Sequence, residues 1–334
     1  MGVAAQMNAG RIIQFDILRT IAIGMILACH FIRSIGFHQL DIPLGCIGNM
    51  IFFVISGWLL GLAWDGKHHP VYGWQFLKRR LLRLAVPLWL FAIPYMIWFK
   101  ASGHSLTAKD AFLNLALCNW FARIPGMTPY WFITAIAAFY IAVIILSRIK
   151  RQESHPFVVA SILVASAILI QVSLSFCGIR YGYILVMMLC GALAFLNANR
   201  LLSFLKKAIS SPVIVLIKST VGVILFLVFW WLVCEDVLVV GTPLCYYATI
   251  PIAFCITVFA FALPAATQKT VVSFISSISY EVYLVHAAML IWTKPISANI
   301  AIYAVLFLAG TLVFAILLHY LSSLTVKCIT GRNA

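Results

Sequence analysis

Among the ionisable residues inside long apolar runs of this sequence, four stand out: Arg19, His30, Glu281 and His286. Ionisable groups are costly in hydrocarbon, so those retained there usually face a bundle interior or a cavity and are candidates for chemistry. A guanidinium grips anions, and a neutral imidazole is both a base and a nucleophile near neutral pH. Arg19 and His30 are separated by a rotation of about 1100° on a helix, three turns plus about 20°, so they share a face about 16 Å apart along the axis. Asp16, three residues before Arg19, can pair with it near the helix start. Taken singly, Arg19 can snorkel and His30 can be a satisfied core histidine. Their common face favours function.

In SISYEVYLVH (277–286), Tyr283 and His286 share a helical face, whereas Glu281 points about 140° away from His286. His286 lies about 18 Å into a helix entered near residue 274, a depth similar to that of His30 measured from Phe15. Two histidines at one depth could line one chamber. Glu281 can instead pair with a basic residue, and His286 can simply bond a neighbouring helix. A third candidate is FLKRRLLRLAVP (76–87), where Lys78, Arg79, Arg80 and Arg83 precede an apolar run. Guanidinium forks match phosphate oxygens, but a cytoplasmic anchor needs the same residues without any ligand.

The elements that must position these groups follow from composition. Of 334 residues, 64% are apolar and only 9% charged, and mean hydropathy is +1.08. That composition excludes a soluble domain, a disordered chain and a secreted disulfide scaffold. The net charge of +15 does not point to nucleic acid, because the basic residues fall between apolar runs and form no single basic face. Ten runs are long enough to cross a membrane: about 15–35, 44–64, 84–100, 130–147, 156–175, 181–199, 213–234, 243–263, 274–293 and 300–321. The expected fold is an all-α polytopic membrane protein with about ten transmembrane helices, one membrane domain over 1–334 and no soluble appended domain.

With the N-terminus inside, the cytoplasmic side holds Arg11, Lys67, Lys78, Arg79, Arg80, Arg83, Arg148, Lys150, Arg151, Arg200, Lys206, Lys207, Lys269, Lys327 and Arg332. The outer side holds only Arg33, Lys100, Lys109, Arg123, Arg180 and Lys294. This asymmetry places both termini in the cytoplasm. Trp230 and Trp231, followed by Glu235 and Asp236, suit an outer interface, and Lys218 reads as a snorkelling lysine. In the long outer segment 101–129, Thr107 and Asp110 resemble a capping box ahead of FLNLALCNWF (112–121). That stretch is too short to span and reads as an interfacial or re-entrant helix. The nine cysteines show no CxxC and no metal-ligand spacing, and Ser56 and Gly57 read as residues that let helices approach closely.

Four motifs in order give the chain a resemblance to the acyltransferase family 3 integral membrane proteins, which acylate carbohydrates and other hydroxyl-bearing molecules. FDILRTIAIGMILACHF (15–31) is similar to that family's Arg-x10-His signature, here Arg19 and His30. GCIGNMIFFVISGWLLG (45–61) is similar to its glycine-bounded span, FLKRRLLRLAVP to its arginine-rich loop, and SISYEVYLVH to its closing Tyr-Leu-x-His element. Tyr130, Trp131 and Phe132 add to the ordered set. Thr20, Met50 and the position of Pro87 depart from the usual pattern, which blurs the subfamily and leaves the reaction class intact.

The resemblance implies an acyl-coenzyme A donor, most often acetyl-CoA, no metal, and an O-acetyltransferase activity in a bacterial inner membrane. Arg79, Arg80 and Arg83, with Arg19, would hold the donor. His30 would serve as general base or as a transient acyl carrier, and His286 or Glu281 would orient a partner or assist proton transfer. The implied acceptor is a lipid-linked or free glycan such as O-antigen or exopolysaccharide; membrane lipid surrounds the protein, and a homo-oligomer stays open. The alternative class is a transporter of a lipid-linked sugar or an organic acid. Intramembrane His, Arg and Glu serve ion pathways too, although no inverted repeat or broken helix is visible in the sequence.

Overall fold

The computed structural model describes residues 12–37, 41–63, 73–122, 124–151, 182–208, 217, 220–224, 227–228, 231–232, 248–262, 269–296 and 299–330. Among these residues every regular element is helical. The elements are α1 (Ile13–Ser34), α2 (Asp41–Ala63), α3 (Trp74–Ala101), α4 (Ala108–Leu115), α5 (Trp131–Arg151), α6 (Gly182–Leu196), α7 (Ala198–Ala208), α8 (Thr249–Ala262), α9 (Lys269–Thr293) and α10 (Ile300–Thr330). Five helices are long and apolar enough to cross a membrane, or six if the bent pair α6–α7 counts as one span. Shorter apolar helices, Thr128–Ile144 and Thr249–Phe261, fall where two further spans are expected. The expected run 156–175, most of 213–234, Lys218, Trp230, Glu235, Asp236 and both termini lie outside the described residues.

Two features differ from the sequence expectation. The third span was expected to begin near residue 84, after a basic loop, but α3 starts at Trp74 and runs 28 residues. Lys78, Arg79, Arg80 and Arg83 therefore sit on its first turns. Polar side chains there lower the mean hydropathy without disturbing helix geometry, so the apolar stripe is shorter than the helix. The sixth expected span, 181–199, breaks instead at Asn197, where α6 and α7 meet at 83°. Past the break, Arg200 and Ser203 are exposed and Leu205 is buried, the pattern of a helix with one wet face.

The backbone divides into two compact units: Met1–Lys67 with Ile149–Ser279, and His68–Arg148 with Tyr280–Ala334. In the first, α1 and α2 pack as antiparallel neighbours, Gly45 lying against Cys29 and Gly48 against Ala22 and Ile26. A methyl group on Gly57 would come within 1.9 Å of the Gly191 carbonyl oxygen, and one on Gly61 within 2.3 Å of that of Phe195. Only hydrogen at these positions lets α2 and α6 approach so closely. The matching order, 57 with 191 and 61 with 195, makes the two helices parallel. Helix α8 packs on both α1 and α2, where Phe15, Trp58 and Phe261 form an aromatic core with centroids 5.1 to 5.5 Å apart. The Trp58 indole N–H donates to the Ala198 carbonyl at 3.0 Å, satisfying a polar group that would otherwise be costly to bury.

In the second unit α3 packs against α10 and α4. Helix α3 carries Pro87 and Pro94 in its interior yet continues to Ala101. Helix α4 starts as the sequence suggests: the Thr107 hydroxyl oxygen accepts from the Asp110 backbone N–H at 3.0 Å. The segment between α4 and α5 is pinned by side chains. Thr134 donates to the Leu117 carbonyl and accepts from the Trp120 N–H, Trp89 donates to the Leu115 carbonyl, and Tyr95 donates to the Pro125 carbonyl. Gly126 adopts φ +79°, and any side chain there would collide with the Tyr95 hydroxyl.

Candidate active site

In the first unit, α1 runs without interruption from Ile13 to Ser34, so the register inferred for Arg19 and His30 holds. Arg19 keeps a third of its side chain exposed and His30 is half-buried. Asp16, by contrast, is 1% exposed. Its Oδ1 accepts from Ser276 Oγ at 2.7 Å and its Oδ2 from Ser273 Oγ at 3.1 Å. The Arg19 guanidinium lies 3.9 Å from Oδ1. One turn on, Thr20 donates to the Val272 carbonyl at 3.3 Å. Asp16 and Arg19 are thus brought together as expected, with two serines that nothing in the sequence marked out.

In the second unit, His286 is fully buried, and its Nδ1 lies 2.6 Å from the Tyr283 carbonyl. A carbonyl only accepts, so Nδ1 carries the proton, and the neutral ring presents Nε2 as its basic atom. The helix backbone holding that ring is itself clasped to the start of α5. Tyr283 donates to the Pro129 carbonyl and Tyr130 to the Leu284 carbonyl, two reciprocal bonds between buried tyrosines and the opposite backbone. Tyr280 donates to the Leu84 carbonyl at 2.7 Å and so anchors the same helix to α3 just past its basic turns.

Glu281 faces away from His286, as its register requires. Its Oε1 lies 3.0 Å from His319 Nδ1 on α10, while its Oε2 is buried without a hydrogen-bond partner among the described residues. The basic partner expected for Glu281 is therefore a histidine. His319 lies in the last apolar run, where the criterion that singled out His30 and His286 applies to it equally.

Of the basic residues on α3, Lys78, Arg79 and Arg83 are exposed. Arg80 is half-buried, its guanidinium carbon 5.5 Å from the Phe76 ring centre and 5.7 Å from that of Tyr140. Two aromatic faces restrain this guanidinium by cation–π attraction, whereas its neighbours project into solvent. Exposed and fixed guanidiniums on successive turns form a surface suited to several phosphate oxygens at once.

A family model described as an acyltransferase domain matches residues 12–320, a span that takes in Arg19, His30, the α3 arginines, the tyrosine clasp, His286 and His319. The chain belongs to acyltransferase family 3, and its class is that of a multi-pass membrane acyltransferase. No curated protein and no solved structure matches the chain.

Proposed function

We propose that the protein transfers an acetyl group from acetyl-CoA to a hydroxyl of a cell-surface glycan, such as O-antigen or exopolysaccharide, in a bacterial inner membrane. The observation that carries this reading is the uninterrupted α1 helix, which presents Arg19 and His30 on one face in a chain of an acyltransferase family. Coenzyme A bears its phosphates at one end and its thioester on a long arm. Arg79, Arg80 and Arg83 bind the phosphate end, and Arg19 binds nearer the thioester.

His30 takes the proton of the acceptor hydroxyl as its oxygen attacks the thioester carbonyl; the C–S bond breaks and the proton passes to the departing sulfur. If His30 instead carries the acetyl group between two steps, the products are the same ester and free thiol. His286, with its proton fixed on Nδ1, offers Nε2 for acceptor orientation or proton transfer, and Glu281 assists from its pair with His319.

A ten-span topology with both termini cytoplasmic suits this chemistry, because the donor is cytoplasmic. The parallel packing of α2 and α6 supports an odd number of crossings between them, as that topology requires. The test is transfer of label from radioactive acetyl-CoA, supplied to the cytoplasmic face of inverted membrane vesicles, into glycan as a base-labile ester. Label that appears only with the protein supports the reading; donor-independent uptake of a lipid-linked sugar or organic acid, without ester formation, favours a transporter.

A further inference from the structure

We propose that Asn119, in the turn between α4 and α5, is an acceptor-binding residue: its side-chain oxygen takes a hydrogen bond from a hydroxyl of a sugar. The choice of ligand rests on the reading above, in which a glycan is acylated.

The amide itself carries the argument. Asn119 is 3% exposed, and its Nδ2 donates both to the Asn114 carbonyl at 3.2 Å and to Asn114 Oδ1 at 2.7 Å. Asn114, 1% exposed, spends its own Nδ2 on the Asp110 carbonyl at 3.0 Å. A backbone carbonyl only accepts, so Asn114 must turn its nitrogen to Asp110 and its oxygen to Asn119, and each amide orientation is fixed in turn. Both Asn119 donors are thereby used. Its Oδ1, which can only accept, is buried with no hydrogen-bond partner among the described residues. An acceptor held in place and hidden from water calls for a donor, and a hydroxyl group supplies one.

The backbone carries this atom deep into the second unit. Helix α4 ends in a Schellman turn, with Leu117 at a left-handed φ of +61° and the Cys118 N–H reaching back to the Leu113 carbonyl at 2.8 Å. Trp89, which binds the Leu115 carbonyl, stands about 18 Å along α3 from its end at Ala101. Thr134, which binds Leu117 and Trp120, lies one turn along α5 from Tyr130, whose hydroxyl meets α9 at Leu284. Measured along the helix axes, Asn119 is therefore held within about two turns of His286. Its neighbours suit a sugar: Phe121 is 66% exposed, Ala116 is exposed, and Cys118 and Trp120 are half-buried. Aromatic surface with one preset polar atom is the usual make-up of a small-molecule site.

The experiment is protection of Cys118 from N-ethylmaleimide, read by mass spectrometry on the full-length protein in nanodiscs. Methyl hexopyranosides and their deoxy analogues are the probes, and the exposed Cys328 is the internal control. One or more glycosides should slow Cys118 alkylation several-fold, with Cys328 unchanged, and a deoxy analogue lacking the donating hydroxyl should need a several-fold higher concentration. In Asn119→Ala that distinction should vanish. Where the variant fails to fold, the wild-type comparison of glycoside with deoxy analogues decides. No protection by any glycoside, equal protection by every deoxy analogue, or a distinction that survives in folded Asn119→Ala overturns the proposal and leaves Oδ1 with a trapped water only.

In turnover, Asn119→Ala should raise KM for the glycoside several-fold with KM for acetyl-CoA within about twofold, whereas a merely structural loss would lower the active fraction and leave both alone. A wild-type protein that consumes no acetyl-CoA would sink the acyl-transfer reading, while Cys118 protection would still decide whether Asn119 binds a sugar.

Discussion

Glu281 and His319 form a polar pair between α9 and α10: Oε1 of a carboxylate that is 6% exposed lies 3.0 Å from Nδ1 of a half-exposed imidazole. The other carboxylate oxygen has no hydrogen-bond partner among the described residues. Among the described residues, the one hydrogen-bond partner of this buried group is therefore a histidine.

Replacing His319 by Ala should destabilise the protein by about 1–3 kcal/mol, the cost of leaving a buried acceptor unpaired. Replacing both members by Leu should cost less than the two single changes added together, because no orphaned charge remains. Thermal unfolding of the four proteins in one detergent checks this; strictly additive losses would show that the pair is not coupled.

Gly57 and Gly24 should respond in opposite ways. Gly57→Ala places a methyl 1.9 Å from the Gly191 carbonyl oxygen, so two backbones must separate, and overpacking of this kind costs about 1–3 kcal/mol or more. Gly24→Ala in α1 meets nothing within 4 Å and should be neutral or slightly stabilising. Comparing the yield of folded protein and the thermal midpoint for the two variants tests whether α2 and α6 touch as described.

Tyr130→Phe and Tyr283→Phe each remove one hydroxyl of the clasp that holds the backbone carrying His286. Each should cost about 1 kcal/mol of stability. Each should also lower kcat more than it alters KM for the donor, since the clasp sets the side chain to which the proposed function gives acceptor orientation or proton transfer, and not the arginines proposed to hold the phosphates. Steady-state kinetics at varied acetyl-CoA checks the split, and a pure donor KM effect would contradict it.

Much of the candidate site was legible in the sequence, where its information is local. The Arg19 and His30 register needs only helix geometry, the Thr107 cap needs one hydroxyl three residues from its amide, and the Gly57 contact follows from a glycine inside an apolar run. What escaped was long-range or depended on a threshold. Ser273 and Ser276 resemble any helical serines until Asp16 is placed beside them. The first turns of α3 are helical though polar, so a hydropathy count began the span ten residues late. The bend at Asn197 falls where an apolar helix gives way to an amphipathic one carrying Arg200, Lys206 and Lys207, and a hydropathy window centred on the apolar part runs through it without showing that the chain turns. His319 was within reach, as a titratable residue in the last apolar run.

The arginines on α3 should behave as two kinds. Arg79→Gln and Arg83→Gln should each raise KM for acetyl-CoA several-fold, with the gap narrowing at high salt, since exposed charges are screened. Arg80→Gln should add a loss of stability of about 0.5–1 kcal/mol, because its guanidinium lies over Phe76 and Tyr140. Donor titrations at two ionic strengths, alongside thermal midpoints, check both; identical behaviour of all three arginines would refute the distinction.

The central claim is acyl transfer along the face shared by Arg19 and His30. Its most direct test is release of free coenzyme A thiol from acetyl-CoA by purified protein in nanodiscs, with and without glycan acceptors, for wild type, His30→Ala and Arg19→Ala, with donor binding read in the same samples. The account predicts acceptor-dependent thiol release by wild type, its loss in folded His30→Ala with donor binding retained, and weakened donor binding in Arg19→Ala. Wild-type release that persists unchanged in His30→Ala, or no binding of coenzyme A by wild type, would contradict it.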